Sequence, residues 1–429
     1  MKKSSAITLI LILATAVFGM SGLRAFASDN VLAASDADTL TYVSYQGKLV
    51  DNNNNTLPFA TVEAEGTNVS TITNIDGEFL LKINNDADAK SLKISYVGYS
   101  NKYVPLNDFN VGKILTIKLE PSSVHLQAVT IRPENAAGLI RQILNRVEQN
   151  YSDNPVMMKA FYRETIKNRR NYVAISEAVV DIYKAGYKSQ FDSDQVKIDK
   201  GRKSGDVEKM DTVLFKLQGG PAITLLLDIV KNPYILLTSD YSSIYDFYIS
   251  DVASINDKLH YVISFDQKPG ITAPYYNGKL FVEIESLAIT QAEFALNLDN
   301  EEEAERIFIQ KKPMGMKITP EKALYRTKYS MQNGKWYFNY ARAEVKFKVN
   351  WRKRLFNTVY LTMSEIAVTD RKTINPEKIT NKERFKRNDI LDDMVFTYFD
   401  PDFWGNYNVI EPDQSIESAI RKLNRKLKD

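Results

Sequence analysis

Residues 325–349 read YRTKYSMQNGKWYFNYARAEVKFKV. Two runs rich in aromatic and β-branched residues flank Asn333-Gly334, a dipeptide that tolerates the positive φ of a two-residue hairpin turn. The spacing predicts one strand over 325–332 and its antiparallel partner over 335–349. The same reading extends outward. A strand at 358–369 follows, and strands at 259–265, 279–285, 287–298 and 306–310 precede, with Asn277-Gly278 read as a second hairpin turn. Consecutive hairpins in so long a run place sequence neighbours side by side in one curved antiparallel sheet. Such a sheet keeps one apolar face for a helix or a ligand.

The segment ahead of this meander adds to the same domain. Asn135 is placed to cap a helix whose Leu139, Ile140, Ile143, Leu144 and Val147 fall on one 3.6-residue face. Strands are expected at 157–167 and 172–184, joined across Asn168-Arg169-Arg170-Asn171. From 189 to 211 the pattern fades into Asp, Lys, Ser and Gly and reads as an exposed excursion. Gln218-Gly219-Gly220-Pro221 opens an apolar stretch at 222–230, a short buried helix stopped near Pro233. At the C-terminus Asp413 or Ser415 caps a last helix carrying Ile416, Ile420, Leu423 and Leu427, and Phe403, Trp404 and Tyr407 are expected to bury the loop before it.

Residues 42–120 have a different grain. Short alternating runs are separated by turns every eight to twelve residues, the pattern of a β-sandwich. Phe79, Leu81 and Ile83 share one face by the two-residue period, as do Leu92, Ile94 and Tyr96, and Leu115, Ile117 and Leu119. Several anchors stand in register: Gly47-Lys48-Leu49-Val50-Asp51, Leu57-Pro58-Phe59-Ala60-Thr61-Val62, Gly66-Thr67, Thr73-Asn74-Ile75-Asp76-Gly77-Glu78-Phe79 and Tyr96-Val97-Gly98-Tyr99. In that order they resemble the carboxypeptidase regulatory-like domain, a transthyretin-like sandwich common in secreted Bacteroidetes proteins. The expected fold is therefore mainly β: an N-terminal seven-strand transthyretin-like β-sandwich at 42–120, a linker at 121–134, and an α+β domain at 135–429 built on a curved antiparallel sheet. Phe161-Tyr162-Arg163-Glu164 and Asp400-Pro401-Asp402-Phe403-Trp404-Gly405-Asn406-Tyr407-Asn408 resemble segments of uncharacterised Bacteroidetes proteins that carry such a sheet behind the regulatory-like domain. The order of helix, strands and hairpins more weakly resembles the half-open barrel of periplasmic lipoprotein carriers.

The resemblance implies no peptidase. A zinc carboxypeptidase needs His and Glu at close spacing plus a distant His. This chain has His125 and His260, neither followed by a ligand-spaced Glu, and no cysteine at all. Disulfides, thiolate metal sites, cysteine nucleophiles and a lipidated N-terminal cysteine are thereby excluded. No Gly-rich phosphate loop or dinucleotide fingerprint occurs, and no cofactor or metal is expected. Glu301-Glu302-Glu303 lacks the alternating oxygen ligands of a calcium loop and reads as a solvated turn. One catalytic alternative stays open, a carbohydrate-active hydrolase with paired carboxylates, for which Glu164 and Glu177 on neighbouring strands are the nearest candidates.

The first thirty residues supply an address. Lys2 and Lys3 precede an uncharged apolar run, and Ala25-Phe26-Ala27 presents small residues where signal peptidase reads, so 1–27 is expected to be a signal peptide cleaved after Ala27. The alternative is an uncleaved membrane anchor. Export to the periplasm or the outer membrane follows, without a lipid anchor. Lys2, Lys3 and Arg24 also carry the whole formal charge of +3. The remainder is neutral as a sum, which argues against nucleic acid as a partner. Local charge is uneven: 342–387 holds 13 Lys and Arg against 5 Asp and Glu. Within it Trp351, Arg352, Lys353 and Arg354 interleave aromatic and base as a candidate partner surface for anionic lipid. The expected function is non-enzymatic: binding or scaffolding an envelope partner, or holding an apolar or anionic ligand on the concave sheet.

Overall fold

The computed structural model describes residues 42–110, 112–122, 136–188, 192–205, 217–238, 240–309, 314–351, 357–372, 376–397 and 403–426. The expected signal segment, His125, Asn135 and Arg352 to Arg354 lie outside them, as does the side chain of Trp351.

Seven strands form the N-terminal sandwich: β1 (Tyr42–Val50), β2 (Thr61–Ala64), β3 (Ser70–Ile72), β4 (Glu78–Asn84), β5 (Ser91–Ser95), β6 (Lys102–Pro105) and β7 (Leu115–Lys118). They pair as β4-β1-β7 and β3-β2-β5-β6, with β7 parallel to β1. The alternation predicted for the strands is the alternation observed. Phe79, Leu81, Ile83, Leu92, Ile94, Ile117 and Leu119 are all buried in one core with Leu49 and Val62. Gly77 turns the chain at φ +75, where a Cβ would stand 2.6 Å from the Leu49 carbonyl oxygen.

The rest is one large sheet. In chain order its strands are β8 (Val156–Asn168), β9 (Asn171–Lys184), β10 (Gln195–Gly205), β11 (Tyr245–Ile255), β12 (Lys258–Gln267), β13 (Tyr276–Glu283), β14 (Ile289–Leu296), β15 (Met316–Gln332), β16 (Lys335–Trp351) and β17 (Thr358–Lys372). The spatial order is β11-β12-β13-β14-β15-β16-β17-β8-β9-β10, antiparallel throughout, and the two-residue β18 (Phe396–Thr397) runs parallel beside β10. The first hairpin of the domain thus extends the far end of the meander. Asn333 and Gly334, at φ 49 and 76, make the tight β15-β16 turn that the sequence predicts.

Among the described residues, five helices cover one face, here called the inner face. They are α1 (Ala136–Asn145), α2 (Val147–Asn150), α3 (Gly220–Thr224), α4 (Tyr241–Ile244) and α5 (Glu301–Phe308), while α6 (Leu391–Met394) lies near β18 and α7 (Gln414–Lys426) ends the chain. Even-numbered residues of β8 and β9, such as Met158, Ala160, Tyr162, Ala178 and Val180, point into this core. Odd-numbered Phe161 and Val179 point to the outer face, against Phe59 and Ile72 of the sandwich and Phe403, Trp404 and Ile410 of the C-terminal loop. Trp404 meets Phe161 edge-on at 5.4 Å, so the loop is buried as the aromatic residues predict. Asp413 caps α7, its Oδ1 accepting from the Ile416 amide at 2.7 Å.

Three local expectations are corrected. Asn277-Gly278 is not a turn: both residues lie inside β13, with Gly278 opposite Phe265 and Phe294, and Gly278 is needed because a Cβ there would sit 2.3 Å from the Glu293 carbonyl oxygen. The described part of the run expected as a strand at 306–310 is not a strand, since 306–308 end a helix. Asn300 accepts from the Glu303 amide, Glu301 to Glu303 occupy the favourable end of the helix dipole, and Ala304 and Phe308 bury one face of α5. The polar excursion at 189–211 contains β10, an eleven-residue strand. Its polarity has a physical reason, since Lys200 and Arg202 lie over the rings of Phe403 and Trp404 instead of packing apolar side chains.

Candidate functional site

Register decides the carboxylate pair first. Arg163 stands opposite Glu177 and Glu164 opposite Ser176, so the two carboxyls project from opposite faces of the sheet. They cannot flank one glycosidic bond. Glu177 belongs to an outer-face ion network: Arg163 Nε donates to its Oε1 at 2.8 Å and Arg202 Nε to its Oε2 at 2.9 Å. Arg163 also reaches Glu365 Oε1 at 3.4 Å, and Arg342 Nη1 donates to Glu365 Oε2 at 2.8 Å. Burial alone would raise the Glu177 carboxyl, but Arg163 and Arg202 more than reverse this and hold it below the usual range. Glu164 lies on the inner face and accepts from the Tyr162 hydroxyl at 2.8 Å. Burial pushes its carboxyl up to about 8, against the Tyr162 hydrogen bond and helped by Asp392 and Asp393.

The inner face is not an empty ligand shelf. The segment 217–244 lies across it and fills it with Leu225, Leu227, Ile229, Ile235 and Leu236, all buried against the sheet. Polar clasps fix this inserted segment in register. Thr327 donates to the Leu227 carbonyl at 2.7 Å, and Thr224 meets Ser364 at 3.3 Å. Asp228, fully buried, accepts from Tyr187 and Tyr329 at 2.9 Å each and pairs with Lys184 at 2.8 Å. Lys184 also meets Asp194 at 2.5 Å. Burial would lower the Lys184 ammonium, and these two carboxylates hold it raised instead.

What remains open is a cleft of about 990 Å³ along the edge of the inserted segment. That is the upper end of the size range of small-molecule sites. One wall is Leu225, Leu226, Val230 and Leu237 of the inserted segment, facing Leu144 and Val147 at the end of α1 and start of α2. The other is the turn Arg384 to Arg387. Backbone bonds hold that turn in place, Phe385 N to Val196 O at 2.7 Å and Gly219 N to Asp389 O at 2.8 Å, while the Phe385 ring packs inward. The cleft thus combines an apolar interior with a polar, basic lip.

The expected partner surface at Trp351 to Arg354 lies outside the described side chains. Much of the described basic excess of 342–387 is answered within the fold. Arg342 pairs with Glu344 and Glu365, Lys346 with Glu321, and Arg371 is buried beside Tyr337. Sequence reading touched the basic lip only as part of the excess at 342–387 and did not point to the cleft, because its lining comes from four separate segments.

Residues 45–131 match the family model of the CarboxypepD_reg-like domain, which establishes the identity of the sandwich. No match to the chain was found among curated proteins. Among solved structures the chain is similar to a DUF1329 family protein from Desulfovibrio piger, at 11% identity over 57% of this chain and 95% of that one, with a TM-score of 0.27. It is also similar to a LolA superfamily protein from Nitrosomonas europaea, at 12% identity over 57% of this chain and 96% of the other, with a TM-score of 0.21. A third similarity, to lipovitellin, has 8% identity and a TM-score of 0.25 and spans 59% of this chain but 28% of that one. Scores this low carry no argument about function.

Proposed function

We propose that the chain is an exported, non-enzymatic binding protein of the cell envelope, which holds an apolar ligand in the cleft between the inserted segment and the Arg384–Arg387 turn. The observation that carries this reading is the cleft itself, where the partly buried Leu144, Val147 and Leu226 leave apolar surface open beside a sheet face that is otherwise filled. The first residues support the address: a basic start, an uncharged apolar run and Ala25-Phe26-Ala27. On this reading the sandwich is a docked accessory that positions the sheet, and partners among envelope proteins or at the outer-membrane surface would meet the exposed faces.

The test is native mass spectrometry of the chain starting at Ser28, with and without tetradecanol. One bound molecule per chain is expected, with occupancy falling at least tenfold in Leu226→Arg, which places a charge in the wall. Equal occupancy in both proteins, or no binding to either, would overturn the reading. Cell fractionation tests the address: the mature chain should appear in the envelope fraction with Ser28 at its start.

A further inference from the structure

We propose that the ligand of this cleft is an amphiphile with an anionic head group, held by Arg384, Lys386 and Arg387, its chain lying on the leucine wall of the inserted segment. The proposal rests on the cleft being the ligand site and adds the chemistry of the head.

Charge at the lip is unevenly matched. Three acidic residues line the cleft, Glu148, Asp192 and Asp194. Each already meets a cation: Lys188 at 3.7 Å, Lys378 at 3.2 Å and Lys184, shared with Asp228, at 2.5 Å respectively. The three bases of the turn have no such match. Among the described residues, Arg384, Lys386 and Arg387 form no ion pair with any carboxylate, although all three border the cleft. Arg384 adds an independent sign, because its Nε is buried without a hydrogen-bond acceptor among the described residues. A buried guanidinium N–H without an acceptor is costly, and an anion entering the lip would remove that cost. Guanidinium groups suit this task, since they take carboxylate or phosphate oxygens in paired, charge-assisted bonds.

The acyl chain has an equally defined place. Leu144, Val147 and Leu226 are only partly buried and line the same cleft as those bases, and Tyr234 lines it too. Burial raises the Tyr234 hydroxyl while the Arg387 charge pulls the other way, which puts the arginine within electrostatic reach of that tyrosine. A neutral oil would leave the three bases unanswered, and a free inorganic anion would leave the leucines wet.

Four probes with one tail and different heads decide the matter: tetradecanoate, tetradecyl phosphate, tetradecanol and tetradecyltrimethylammonium, each titrated below its micelle concentration into the chain starting at Ser28. Both anions should bind at least tenfold more tightly than tetradecanol, with the cation weakest, and the anion advantage should shrink as salt rises. A tighter carboxylate or a tighter phosphate then tells which head the site prefers. In Arg384→Gln/Arg387→Gln the anion advantage should fall to less than threefold while tetradecanol binding stays unchanged. Tetradecanol binding as tightly as the anions to the unaltered chain would overturn the head-group proposal and leave the apolar site standing. Binding of none of the four would overturn both. An anion advantage that survives in the folded double variant would overturn the assignment to this turn.

Discussion

Glu164 and Lys328 are two buried ionisable groups on opposite faces of one sheet, and they give the protein opposite pH dependences. The Glu164 carboxyl is pushed up to about 8 by burial, so the folded chain keeps a proton that the unfolded chain releases near 4.5. Its stabilisation is complete below about 4.5 and is lost as pH rises through about 8. Glu164→Gln should therefore remove a stability loss of up to a few kcal/mol between about pH 5 and 8.5, because each tenfold change in proton affinity is worth about 1.4 kcal/mol. Denaturant unfolding at the two pH values checks it, and parallel losses in both proteins would contradict it. Lys328 donates to the Phe59 carbonyl beneath the sandwich, and burial with Arg326 nearby lowers its ammonium to about 7. Stability from the neutral amine is full above about 10.5 and lost as pH falls through about 7. Lys328→Met should flatten the rise in stability expected of the native chain between about pH 8.5 and 10.5, above the range of Glu164, read by the same unfolding measurement. Neither behaviour was legible in the sequence, where Glu164 stands out only as a possible partner of Glu177 and Lys328 sits in an ordinary strand alternation.

At the scale of elements, the inserted segment 217–244 is the feature that gives the large domain its shape. Asp228 is its anchor, tied to Lys184 and Tyr187 at the end of β9 and to Tyr329 of β15. Removing a buried partner leaves Lys184 half-answered, so Asp228→Ala should cost about 3–5 kcal/mol and weaken cleft binding in the same protein. A calorimetric melt together with a binding titration reads both, and a loss under about 1 kcal/mol would contradict the anchoring role. The apolar run at 222–230 was readable as buried from its composition, but not its seat across the inner face, since that depends on clasps from Thr327 and Ser364 far along the chain. The two Asn-Gly dipeptides behave in the same way. Asn333-Gly334 turns because nothing opposes positive φ there, whereas Gly278 serves the close approach of β14. The dipeptide is identical in both, and only the neighbouring strand distinguishes them.

At the scale of the whole molecule, the sandwich is bolted to the outer face of the sheet. Phe59, at φ 63, stacks on Tyr340 with the Arg326 and Arg342 guanidinium groups 4.8 and 4.9 Å from its ring. Ser70 donates to the Val368 carbonyl at 3.1 Å, and Asn408 and Lys82 exchange a pair of bonds at 2.7 and 2.9 Å. Both halves should therefore melt together, and Phe59→Ala, at a cost of about 3–5 kcal/mol, should split the calorimetric transition in two; one unsplit, unshifted transition would contradict the docking. The sandwich itself was readable in full from its turns and alternation, because its core is local. The docking was not, since its contacts join residues about three hundred positions apart. That a ligand occupies the cleft beside the inserted segment is tested most directly by hydrogen-exchange mass spectrometry of the chain starting at Ser28, with and without tetradecanoate. Added protection confined to 222–238 and 384–387 is the predicted result. Protection on the outer face or the sandwich instead, or no change anywhere at saturating ligand, would contradict it.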